Sequence, residues 1–110
     1  MSSVCVMTND SEKCDFALVG LYDVYDPEVG LNVVDLGLIY QIDFIEDQMR
    51  VHCLMTLTTQ FCPMGDQITG DVTGALKTAF PDWQVEVELT FEPAWDYSKI
   101  SDVGREFLGQ

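Results

Sequence analysis

Positive charge is what this chain has least of. Five Lys and Arg stand against 19 Asp and Glu, a formal charge of −14 with the single histidine neutral. That balance excludes general nucleic-acid binding, which rests on cationic contacts to phosphate. It also excludes docking on anionic membranes, and it suits a basic partner, a cation or plain solubility. Long hydrophobic runs are missing too, and no stretch approaches the roughly 20 apolar residues that cross a bilayer. The first residues show neither the basic nor the apolar region of a secretory leader, so a cytoplasmic location is expected. No Gly-rich loop runs into Lys-Ser or Lys-Thr, so no nucleotide site is expected. The cysteines at 5, 14, 53 and 62 form no CxxC and no compact zinc pattern. With no leader and ample apolar residues, reduced thiols are expected rather than disulfides. With one histidine, a multi-ligand metal site needs carboxylates or a second subunit.

What is present suffices for one core. The hydrophobic set makes up 47% of 110 residues, which argues against wholesale disorder. We expect a flexible N-terminus over 1–9 and a single domain over 10–110.

Asn9 and Glu12 resemble a capping box. The segment from Asp10 to Tyr25 places Cys14, Ala17, Leu18, Leu21 and Tyr25 on one helical stripe, and Pro27 stops the helix. Asp26 to Asn32 reads as a loop. Asp35 interrupts the apolar run from Val33 to Gly37. It either caps a turn over Gly37 in the Asx manner or points into a site.

Leu38 to Ile45 reads as a strand with Leu38, Tyr40, Ile42 and Phe44 on one face. Met49 to Leu57 returns as its hairpin partner, with Val51, Cys53, Met55 and Leu57 inward and His52 outward, facing a neighbouring acid. Met64 to Phe80 is a helix with Met64, Ile68, Val72, Ala75, Leu76 and Ala79 as its apolar stripe. Trp83 to Phe91 is a strand with one buried and one wet face. Trp95 plugs the core edge or lines a site. Ser98 or Ser101 caps a short last helix carrying Val103, Phe107 and Leu108. The order predicts a compact α+β fold, a small mixed sheet backed by helices mainly on one face.

The chemically pointed stretch is Thr58-Thr59-Gln60-Phe61-Cys62-Pro63-Met64. Proline suits the first helical position, so Cys62 falls at or beside the N-cap, near free backbone N–H groups. That position favours the thiolate, which is both nucleophile and metal ligand. A small buried cysteine at a loop–helix joint is the plainer alternative.

Several pieces occur together: Asp26-Pro27-Glu28; Asn32 through Tyr40; Met55-Thr56-Leu57-Thr58-Thr59 ahead of Cys62-Pro63; Pro93 and Trp95; Ile100-Ser101; and Gly104-Arg105 before Leu108-Gly109. Over nearly all of 16–109 the chain resembles the small metal–sulfur assembly family of SufT-type factors, PaaD-like proteins and the cytosolic iron–sulfur targeting subunit. The resemblance implies a maturation factor for iron–sulfur proteins and no enzyme. It matches Cys62 to the characteristic cysteine, Asp35 to the aspartate, and Thr58 and Thr59 to the threonines. Gln60-Phe61 departs from the Pro-Gly that relatives often carry. Its implied cofactor is an iron–sulfur cluster or iron, transiently held. Cys62 would be the metal ligand, across a homodimer or with a partner's thiols, since one thiol cannot hold a cluster. Asp35, Thr58, Thr59 and Trp95 would support it. The expected partners are assembly machinery and apo client proteins. The alternative is a metal-free adaptor for client or oxygenase-complex proteins. A thiol enzyme would need an oriented base beside Cys62, and His52 lies on a strand ten residues upstream.

Overall fold

The computed structural model describes residues 6–27, 29–58 and 65–109. A four-stranded mixed sheet runs in the order β1 (Met7–Thr8), β2 (Ile39–Ile45), β3 (Arg50–Met55), β4 (Gln84–Leu89). β1 is parallel to β2, β2 antiparallel to β3, and β3 parallel to β4. Helices α1 (Ser11–Leu21) and α2 (Gly65–Ala79) pack on one another and cover one sheet face. A short helix, α3 (Asp102–Phe107), closes the fold. This is the expected α+β arrangement. The expected buried residues of β3 alternate as predicted, with Val51, Cys53 and Met55 inaccessible. Ile68, Val72 and Leu76 of α2 meet them, and Cys14 is likewise core. Met64, expected on the same stripe, lies outside the described residues.

Four local expectations need correction. Residues 6–9, the described part of the stretch set apart over 1–9, include a strand of the sheet. Met7 and Thr8 pair with Gln41 and Ile42. Asn9 exchanges two hydrogen bonds of 2.9 Å with the Phe44 backbone. Asn9 is therefore occupied, and Asp10 caps α1 instead, accepting from Lys13 N at 3.1 Å.

The first helix ends at Leu21 rather than Tyr25. Beyond it the chain folds into a loop: Asp26 N donates to Leu31 O, Gly30 N to Asp26 O and Val33 N to Val24 O. Those bonds, together with Pro27, draw Val24 to Asp26 out of helical geometry.

In β2 the predicted face breaks at Tyr40. Ile39 pairs with Met55 but Gln41 pairs with Leu54, which leaves Tyr40 as the extra residue of a bulge. Leu38 and Ile39 are both buried as a result, while the Tyr40 hydroxyl donates to Pro93 O at 2.7 Å.

The last helix is capped by Ser101, as one of the two candidates proposed, but Val103 and Phe107 face outward, each over 60% exposed. Its inward residue is Gly104. A Cβ there would stand 2.8 Å from Ile100 Cγ2 and 2.9 Å from Leu31 Cδ2. Close backbone approach, not an apolar stripe, seats this helix.

Candidate functional site

The site is built where β3 ends and α2 begins. Thr56 is buried, and its N–H donates to Leu38 O at 2.8 Å, which fastens the end of β3 to the turn over 32–38. Thr58 follows, half-buried. Gly65 opens the described part of α2, and a Cβ on it would stand 2.9 Å from Leu57 Cδ1. So the strand exit and the helix start are held close. Cys62 and Thr59 belong to the connection between them and lie outside the described residues.

The turn over 32–38 is organised by Asn32. Its side-chain oxygen accepts from Asp35 N at 2.8 Å, and its carbonyl accepts from Leu36 N at 3.0 Å. Thus Asn32, not Asp35, performs the Asx-type capping expected in this turn. Asp35 turns inward. Its carboxylate is buried and accepts from Asn32 Nδ2 at 2.7 Å and Ser101 Oγ at 2.6 Å. Ser101 N also donates to Asp35 O at 2.8 Å, and Ser101 Oγ accepts from Gly104 N at 3.0 Å. A buried carboxylate without such donors would cost several kcal/mol.

The C-terminal segment clamps the same turn twice more. The Trp95 indole donates to Leu36 O at 2.6 Å while its ring packs at the core edge. Gly37, at φ +79°, lies so close to Lys99 that a Cβ would come within 2.2 Å of its carbonyl oxygen. Only glycine suits that backbone and that contact.

Asp35 and Trp95 therefore meet on one turn beside the exit of β3. Sequence reading missed Asn32 and Ser101 as the partners of Asp35. A signal existed: both stood among the residues carrying the family resemblance, and Ser101 was a cap candidate. The 66-residue separation of Ser101 from Asp35 hid that contact, whereas Asn32 lies only three residues from Asp35.

The described thiols are unsuited to metal or nucleophilic work. Burial pushes the Cys53 thiol up to about 12, and burial likewise raises Cys14. His52 sits on the open sheet face with Nε2 3.0 Å from a Glu88 oxygen and 3.9 Å from Glu86. That is the outward, acid-facing role expected of it. Among the described residues, no group of three or more His, Cys, Asp or Glu side chains is placed to hold a metal. No described helix is long and apolar enough to cross a membrane.

Residues 18–89 match the family described as iron–sulfur cluster assembly protein. The chain is 42% identical over 89 residues to an Fe-S protein maturation auxiliary factor of Porphyromonas gingivalis, covering 81% of this chain and 84% of that one. It is 35% identical to the Fe-S protein maturation auxiliary factor SufT of Staphylococcus aureus, covering 78% and 97%. Among solved structures, a DUF59 domain of unknown function from Bacillus anthracis superposes with a TM-score of 0.83 at 32% identity, covering 90% and 93%. The chain belongs to the iron–sulfur cluster assembly protein family, in its SufT-like branch.

Proposed function

We infer that this protein is an iron–sulfur protein maturation factor acting through Cys62. The relatives that match most of its length are named for that role. The observation that carries the inference is positional. The connection bearing Cys62 leaves the carboxyl end of β3, a parallel partner of β4, and enters a 15-residue helix. In open sheets with parallel strands, ligands bind at that end. A helix start there favours a thiolate.

The cluster, or its iron, is cargo. Thiolates are the usual protein ligands for such cargo, and one per chain is too few. A second copy of the chain, or thiols of a client, completes the set. Each Asp35 oxygen already accepts one hydrogen bond. Its part is therefore to fix the turn beside the strand exit, with Trp95 holding the same turn from the other side. Thr58 and Thr59 supply hydroxyls to the sulfur or to the start of α2. The partners are assembly machinery that loads the cargo and apo proteins that receive it. The chain hands over and does not turn over a substrate.

The test is activation of an apo, cluster-dependent dehydratase in the presence of iron, sulfide and this protein. Wild type should restore activity, and Cys62→Ala should not, while keeping the wild-type urea midpoint. Full restoration by Cys62→Ala would overturn the role of the thiol.

A further inference from the structure

The sheet face opposite the helices carries a groove of about 620 Å³, within the roughly 300–1,000 Å³ of pockets that enclose ligands. It lies between the start of β2 and the C-terminal segment. Ile39, Tyr40 and Leu54 line it from the sheet, with Pro93 and Ile100 opposite. An uncovered sheet face is ordinarily wet and polar, so this apolar lining is unusual for its place.

The charges around it are arranged unequally. Two cations line the groove, and both are turned to the protein itself. Lys99 Nζ stands 5.7 Å from the centre of the Tyr40 ring, and Arg105 donates to Ser98 O at 3.2 Å. Glu92 and Asp102 line it as well, and both are exposed. Since these four charges cancel, the whole formal −14 lies outside the groove. Part of that charge continues along the same face. Glu88 pairs across from Leu54, and Asp43 and Glu86 flank His52 on neighbouring strands. The side chains of Glu86 and Glu88 are about 60% exposed.

We propose that this face is a docking site for a basic segment of a partner protein, with one apolar side chain seated in the groove and Lys or Arg on either side of it. The apolar lining takes the anchor. Glu88, Glu86, Asp43 and the rim acids take the flanking cations. An acidic partner segment would meet the same carboxylates and be repelled. The inference rests on the reading that the chain engages other proteins, and it adds where and with what chemistry.

The probe is a capped hexapeptide, KKLFKK, titrated into the full chain and followed by backbone amide NMR. Saturable shifts centred on Ile39, Tyr40 and Leu54 are expected, weakening as salt rises. KKSSKK and EELFEE should each bind about tenfold more weakly or worse. Leu54→Ser and Glu88→Lys should weaken KKLFKK while leaving the remaining amide spectrum in place. Cys62→Ala should bind it as wild type does, which separates this inference from the thiol reading. No saturable shift, shifts elsewhere on the protein, or equal binding of KKSSKK or EELFEE would overturn the proposal. Because the peptides differ without altering the fold, a failure of Leu54→Ser to fold leaves the decision to them.

Discussion

Ser101 holds a helix start and a buried carboxylate with one hydroxyl, accepting from Gly104 N and donating to Asp35. Replacing it removes a cap and leaves an acceptor short of a donor inside the protein. Ser101→Ala should therefore lower stability by about 2–3 kcal/mol, read as a reduced urea midpoint at unchanged slope. A loss below about 0.5 kcal/mol would mean that water reaches Asp35 freely. Cys53 gives the residue scale its pH dependence. Its thiol is raised by burial from 9.0 to about 12. The folded state keeps this proton in the window between those values, and the unfolded state releases it. The contribution is thus whole below about 9 and is lost as pH rises towards about 12. Urea unfolding across pH 8 to 11 should show stability falling, with a shallower fall in Cys53→Ala. An equally steep fall in that variant would place the titrating group elsewhere.

At the scale of elements, β3, α2 and the identity of every major helix and strand were legible, because period and burial agree there. Val51, Cys53 and Met55 alternate inward, and Ile68, Val72 and Leu76 recur at helical spacing. Much of what escaped was set by contacts distant in sequence. The Tyr40 bulge depends on pairing with β3 and on Pro93. The seat of α3 depends on a glycine facing Leu31 and Ile100. The Asp35 site was half legible: its aspartate and Trp95 stood out, but Ser101 acquires its role only when the C-terminal segment folds over the turn, and Asn32 was missed although its bonds to Asp35 are local. Two glycines separate these kinds of constraint. Gly37→Ala forces a Cβ against a backbone carbonyl at positive φ, and should cost about 3 kcal/mol. Gly104→Ala meets side-chain atoms of Ile100, Leu31 and Ser101 rather than backbone, and should cost less, about 1–2 kcal/mol. Thermal melts of the two variants check the order, and a more damaging Gly104→Ala would contradict this packing of the C-terminal segment.

For the whole molecule, the surplus of acids dominates the electrostatics. A formal −14 on 110 residues repels itself in the compact state. The melting temperature should rise by several degrees from low salt to about 0.5 M KCl, as screening shortens the reach of that repulsion. A flat or falling response would show that the acids are locally compensated. The same surplus would draw basic partners and keep the protein apart from nucleic acid. On the proposed reading, cargo handling would fall to the segment at the end of β3, beside the turn that Asp35 and Trp95 hold. The most direct measurement is iron and sulfide bound per chain after anaerobic reconstitution, taken with the solution mass, for wild type beside Cys62→Ser. The account predicts stoichiometric iron and sulfide on a wild-type dimer and their loss in the variant. Equal iron and sulfide on both proteins would contradict it, and none on a folded wild type would contradict a second copy of the chain as the source of the other thiols.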